Sequence, residues 1–202
     1  MNSIKTELSN QEPLQKFLTD TFNTASQNFA ALTGKHFVIT RYFLNFLEGD
    51  QFIRQDDSLG DEPYFASILK LRDIIHMDVV LLISESEGLG LYDLLYGEEN
   101  GKTETIDSEV VSAIGEINNI LGSSFVNSLA DHLQVEAHPT TPINTFDMLD
   151  AILEDILMQA EYLDTMVLCA DVLLREKQMG QFHVRFLVIS PQEQLSDVIT
   201  NE

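Results

Sequence analysis

The sequence predicts a mixed helix-and-strand fold made of two similar halves, and three observations carry that reading. Two long stretches place apolar residues at helical spacing. Each is followed by runs rich in β-branched and aromatic residues, the composition of strands. The order along the chain is helix, strands, polar linker, then helix and strands again. With 202 residues and 44% hydrophobic composition the chain can fill one sizeable core. A single domain over residues 1–202 is expected, with halves at about 14–97 and 107–197.

Residues 14–33 form the first predicted helix, because Leu14, Leu18, Ala25, Phe29 and Leu32 fall on one face. "GKHFVITRYFLNF" alternates and is dense in β-branched and aromatic side chains, so a strand follows. Residues 47–62, "LEGDQFIRQDDSLGDE", read as an acidic connection, and "YFASILKL" and "MDVVLLIS" as two further strands. "SEGLGLYDLLYG" suggests a short helix, and "EENGKTETIDSE" a polar linker broken at its glycine. A long helix is expected from about Ser108 to Leu133, then another apolar-striped helix over "TFDMLDAILEDILMQA". Two strand-like runs, "DTMVLCADVLLR" and "FHVRFLVIS", close the pattern.

Sliding the sequence by 96 positions lays "DTFNTASQNFAALTGKHFVIT" over "EINNILGSSFVNSLADHLQVE". Asp20 then falls on Glu116, Asn23 on Asn119, Ser26 on Gly122 and His36 on His132. Both halves therefore set an acid and an asparagine three residues apart in mid-helix.

Charge narrows the function. Acidic residues number 33 against 11 basic ones, for a formal net charge of −22. Phosphate backbones and anionic membranes are bound through clustered Lys and Arg, so neither nucleic acid nor a membrane is an expected partner. No secretory signal is visible at the N-terminus, and runs such as "MVLCA" and "VVLLI" are too short to cross a bilayer. A cytoplasmic protein is expected. Cys169 has no second cysteine to pair with and reads as a small core residue. "GLGLYD" lacks the third glycine of a dinucleotide loop, and the histidines, His132 and His138 among them, show no helical metal spacing. No metal site is expected. Asp50, Asp56, Asp57 and Asp61 lack the spacing of a calcium loop.

The long helix carries the chemistry. At 100° per residue, Val110, Ile114, Ile117, Leu121 and Phe125 fall within an arc of about 80°, the expected core stripe. Ser112, Glu116, Asn119 and Ser123 share an arc of about 60° on the opposite side, flanked by Gly115 and Gly122. Glycine inside a helix costs about 1 kcal/mol relative to alanine. A surface needing only solubility would carry Lys, Glu or Arg there. Small residues around a carboxylate and an amide make a platform on which a second protein can lie flush. Ser112, Gly115, Gly122 and Ser123 are thus the expected partner-binding face. The plainer alternative is that Glu116 and Asn119 merely meet water and the glycines pack against another element.

The segment "SAIGEINNILGSSFVNSLADHL", with the "TP" beyond it, resembles the CheC/CheX/FliY family of chemotaxis phosphatases, which dephosphorylate the response regulator CheY. The family signature is Asp or Ser, three residues, Glu, two residues, Asn, then twenty-two residues and Pro. Here it reads Ser112, Glu116, Asn119 and Pro142, with every spacing kept. "FDMLDAILEDIL" resembles the helix after the proline, and "GQFHVRFLVISPQEQL" the closing strand and its terminal segment. The resemblance covers the second half well and the first half loosely.

The resemblance implies an α+β, CheC-like fold, a pseudo-twofold repeat with two long helices packed on an extended antiparallel sheet. It implies a phosphatase acting on the aspartyl phosphate of a CheY-like receiver. Glu116 would pair with the lysine of the receiver's active site, and Asn119 would orient a water in line with the phosphorus. An acyl phosphate is already activated, so positioning counts for more than a strong base. The Mg²⁺ that offsets phosphoryl charge would be held by the receiver, leaving no cofactor to this chain. Relatives occur as monomers and dimers.

The first half departs from the signature. Asp20 is one methylene shorter than Glu, Lys16 stands where Ser112 does, Phe46 where Pro142 does, and Phe22 lies between the polar pair. Asp20 and Asn23 are expected to form a degenerate second site. The rival reading is a non-catalytic adaptor that binds a receiver, the flagellar switch or the CheD deamidase. The retained Glu116 and Asn119, and a chain that ends soon after its last strand, count against it. A receiver's phosphorylation pocket is itself acidic, so association with a chain of charge −22 is expected to quicken with salt.

Overall fold

The first helix, α1, spans Glu12–Thr33 and buries Leu18, Phe22, Ala25 and Phe29 along one side. The structure, a computed structural model, describes residues 12–34, 37–48, 62–72, 76–159, 165–176 and 180–191. Most of the acidic connection expected at 47–62, the stretch beyond Pro191, and the side chains of Leu14 and Leu32 lie outside what is described. Three strands follow α1: β1 (Phe37–Glu48), β2 (Pro63–Arg72) and β3 (His76–Ser84). Helix α2 (Glu85–Tyr96) leads through a turn to the long helix α3 (Ser108–Leu133). Strand β4 (Ile143–Met148), helix α4 (Leu149–Gln159), and strands β5 (Thr165–Glu176) and β6 (Gly180–Pro191) complete the described chain. No helix among the described residues is long and apolar enough to cross a membrane.

The fold is α+β, with all six strands in one antiparallel sheet of order β1-β5-β6-β3-β2-β4. Read from its other edge, that order is unchanged when β1 exchanges with β4, β2 with β5 and β3 with β6. Tyr64 pairs with Ser84 in one hairpin as Leu168 pairs with Val188 in the other, an offset of 168 − 64 = 104. In the helices burial repeats at 96: Asp20 and Glu116 are both exposed, Ala25 and Leu121 both buried, Phe29 and Phe125 both buried. Part of the difference arises in the length of chain between each helix and the next strand, from Thr33 to Phe37 in the first half and from Leu133 to Ile143 in the second.

The sheet is covered on both faces. Phe65, Leu69, Val79, Leu81 and Ile83 join the core beneath α1, α2 and α3, whereas Tyr64, Ala66, Ile68, Val80 and Leu82 join a second core with Ile152, Leu153 and Ile156 of α4. Alternate residues of one strand thus meet different helices, which is why "VVLLI" is apolar throughout. Helices α1 and α3 pack side by side: Phe17 stacks on His132 with ring centroids 4.3 Å apart, and Asn28 Nδ2 donates to Ser124 Oγ at 2.9 Å.

Two sequence expectations are corrected. The apolar-striped helix expected over "TFDMLDAILEDILMQA" begins only at Leu149, and Ile143–Met148 form the edge strand β4. Pairing from Pro63↔Met148 to Ile68↔Ile143, with Phe146 4.6 Å from Phe65 between ring centroids, outweighs the local helical pattern. The second correction concerns Gly115 and Gly122, expected on the open partner-binding face. Both are buried. A Cβ at 122 would lie 2.6 Å from Leu69 Cδ1 and 3.0 Å from Leu81 Cδ1, and one at 115 would lie 2.8 Å from Asn144 Nδ2. They are glycine because α3 sits directly on β2, β3 and β4.

Filling that seat should be costly. Gly122→Leu is expected to lower stability by about 1–3 kcal/mol through overpacking, measured by urea unfolding. An unchanged midpoint would return residue 122 to the open face.

Candidate functional site

Helix α3 is fixed at both ends. Asp107 Oδ1 accepts from the backbone N–H groups of Glu109 (2.9 Å) and Val110 (3.0 Å). At the other end Gln134 takes a left-handed conformation, φ 52°, and its N–H returns to Asp131 O at 3.3 Å. Between these caps the expected stripe of Val110, Ile114, Ile117, Leu121 and Phe125 is buried. Asn118, Ser124, Val126 and Leu129 are buried as well, so the covered arc widens to about 200° and leaves about 160° open.

That open arc holds Ser112 and Glu116, both exposed, with Asn119 and Ser123 half-buried beside them. Glu116 and Asn119 are one turn apart, so their Cβ atoms stand roughly 5–6 Å from each other. Ser123 Oγ donates to Asn119 Oδ1 at 3.3 Å. This contact tethers one end of the carboxamide and leaves Nδ2 and the second lone pair of Oδ1 without another partner among the described residues. Ser123, expected as part of a docking surface, therefore also orients its neighbour. Its four-residue spacing from Asn119 was the available signal. Pro142, half-buried, ends the connection that brings the chain from α3 to β4.

The sequence "INN" presents two amides, and only one is reachable. Asn118 is 1% exposed, and neither of its side-chain polar atoms has a hydrogen-bond partner among the described residues. It faces inward while Asn119 faces out, a consequence of the 100° step between them.

In the first half, Asp20 and Asn23 are both exposed on α1. The residue four beyond Asn23 is Gln27, which is exposed, where the second half has Ser123. The tether is not reproduced. Thr24 Oγ1 donates instead to the backbone oxygen of Asp20 at 2.9 Å.

Beside Glu116 lies an open groove of about 550 Å³ between α1, α2 and α3. Phe29, Leu95, Tyr96 and Ile120 supply apolar surface and Glu109 and Glu116 carboxylates. Sequence reasoning missed it, since its walls come from three separate helices. Helix α2 is held there by Ser84 at its N-cap and Gly97 in the left-handed conformation (φ 72°) at its C-cap. Asp93, fully buried, accepts from the N–H groups of Gly101 (2.9 Å), Lys102 (2.9 Å) and Thr103 (3.1 Å), and from the Thr103 hydroxyl at 2.5 Å. Burial pushes its carboxyl up, but these donors outweigh burial and hold it below the usual carboxylate value. Among the described residues no group of three His, Cys, Asp or Glu side chains is placed to hold a metal ion.

Residues 109–143 match the sequence profile of the CheC-like family, and that segment contains Ser112, Glu116, Asn119 and Pro142. No curated protein matches the chain by sequence. Three solved structures show the same fold. FliY from Thermotoga maritima aligns with a TM-score of 0.67 at 14% identity, over 95% of this chain and 90% of that one. The FliM middle domain from H. pylori aligns at 0.64 and 11%, over 93% and 94%. A CheC-like superfamily protein from Shewanella sp. PV-4 aligns at 0.53 and 15%, over 85% and 96%. At such identities the likeness establishes the fold. The chain thus resembles the CheC-like family by sequence over the motif-bearing helix and its exit, and shares the fold of these structures over most of its length.

The Asp93 cage gives a pH-dependent expectation. Its folded carboxyl titrates below the unfolded one, so its stabilisation is present above about pH 4 and is lost as pH falls through the folded value. Asp93→Ala should cost about 1–3 kcal/mol at pH 7, and the gap from wild type should narrow toward pH 3 in thermal unfolding. A gap constant with pH would contradict the cage.

Proposed function

We propose that the protein is a phosphatase for the aspartyl phosphate of a CheY-like response regulator. The carrying observation is the open arc of α3, where Glu116 projects and the Asn119 carboxamide is held at one end by Ser123. Glu116 pairs with the lysine of the receiver's phosphorylation site and brings the helix to it. Asn119 enters beside the phosphoaspartate and places a water in line with the phosphorus. The water's oxygen forms the new P–O bond, the bond to the aspartyl oxygen breaks with its electron pair leaving on the Asp carboxylate, and the water's protons depart with the released phosphate. A neutral amide suits this work, since a carboxylate in its place would repel the phosphoryl oxygens. Mg²⁺ held by the receiver would offset the charge on those oxygens, so this chain itself supplies position.

A second reading is favoured by the likeness to the FliM middle domain, whose TM-score of 0.64 lies between those of FliY, 0.67, and the CheC-like superfamily protein, 0.53. On that reading the same face binds a receiver or a switch component and hydrolyses nothing. CheD remains a further candidate partner of either form.

Decay of a phosphorylated receiver separates the readings. Asn119→Ala is expected to lose nearly all acceleration, Asp20→Ala to keep at least half, and Glu116→Ala to lose affinity as well as turnover. Equal loss at Asn119 and Asp20 would overturn the single working site. No acceleration by wild type on any receiver of the same cell would favour the adaptor.

The tether has its own signature. Ser123→Ala should lower kcat several-fold while KM holds, because a loosened amide spends less time aligned. An unchanged kcat would strip Ser123 of that role.

A further inference from the structure

The groove beside Glu116 offers more than a wall. Among the described residues its lining contains no basic side chain, and the carboxylates of Glu109 and Glu116 are both exposed. Seven positions apart, they lie on nearly the same line of α3, about 10 Å from each other along the axis. One cation cannot satisfy both at that separation. Tyr96 stands at the margin 63% exposed, with its ring 4.5 Å from that of Tyr92, and Leu95 and Ile120 continue the apolar surface between. An uncovered aromatic next to an unpaired carboxylate is a seat for a long basic side chain, whose methylenes lie on apolar surface while its charge meets the carboxylate and the ring face.

We infer that this groove binds a second basic side chain, Arg or Lys, of the same protein partner whose lysine meets Glu116. Its charge sits between Glu109 and Tyr96, and its aliphatic stem lies over Leu95 and Ile120. The partner must therefore present two cationic side chains about 10 Å apart, a spacing set by two turns of α3. This selects among receivers that all carry the lysine of the phosphorylation site, so the groove sets partner choice and Asn119 sets turnover. It also gives local attraction to a chain whose overall charge repels an acidic pocket. The inference rests on the phosphatase reading for the identity of the partner, though not for the groove itself.

The test uses a CheY-like receiver of the same cell, phosphorylated for turnover and loaded with beryllium fluoride for binding. Glu109→Gln and Tyr96→Ala should each raise KM and Kd about two- to fivefold, with kcat within twofold of wild type, and Tyr96→Phe should restore the wild-type value. The Glu109 effect should fade at high salt and the Tyr96 effect should persist. If wild type accelerates decay and both variants match it in KM and Kd, the groove assignment fails alone. If wild type binds without hydrolysis and the variants bind more weakly, the groove stands and the phosphatase reading fails. If wild type neither binds nor accelerates, both fall. Far-UV dichroism of Tyr96→Ala, altered at an exposed position, checks that its fold is intact.

Discussion

The flush seat of α3 on the sheet governs everything else in this molecule. At Gly122 the helix comes so close to Leu69 and Leu81 that a single added carbon would collide. Asn144 closes on Gly115 in the same way one strand further out. These two close approaches lie a little under two turns apart and, with the buried apolar stripe between them, define the face of the helix that meets the sheet. A roll of one residue, 100°, would carry Glu116 or Asn119 toward the sheet and bring a core residue into water. The open arc is thus defined by what is buried opposite it. Glycine there is a packing requirement, and its cost to helix propensity is offset by burial of the surrounding apolar side chains.

Much of this was legible in the sequence, and the losses have physical causes. The stripe of Val110, Ile114, Ile117, Leu121 and Phe125 placed α3 correctly because large apolar side chains at helical spacing permit one solution. Gly115 and Gly122 were ambiguous, since a residue without a side chain is equally at home on an open platform or in a tight contact. The partners that decide between these, Leu69, Leu81 and Asn144, are far away in sequence. Strand β4 was hidden for a related reason. "INTFDM" has too few residues to declare itself, and only its pairing with β2 and the Phe65–Phe146 contact make it a strand. The motif at Ser112, Glu116, Asn119 and Pro142 was readable through its resemblance to a family signature, whereas the Ser123 tether and the Tyr96 groove needed coordinates.

The two halves share an architecture and diverge in detail. The sheet order is symmetric and the helices bury matching positions, yet Asn23 is followed by Gln27 where Asn119 is followed by Ser123. Among the described residues Gln27 makes no hydrogen bond to Asn23 to match the one from Ser123 to Asn119, and its longer side chain would lose more rotamer freedom in making one. Symmetry of the scaffold therefore does not carry over into equivalence of the two polar pairs. The fold is shared with FliY, a FliM middle domain and a CheC-like superfamily protein, so what the chain does has to be argued from the residues on the helix face and not from the fold.

What the account asks of Asn119 is contact with a partner's phosphoryl group while its neighbour Asn118 stays sealed within the core. The side-chain amide resonances of both asparagines, followed by NMR as a beryllium fluoride-loaded receiver is added, report this directly. The Asn119 Nδ2 signal should shift or broaden and that of Asn118 should stay in place. An Asn119 signal unmoved at saturating receiver would contradict the account.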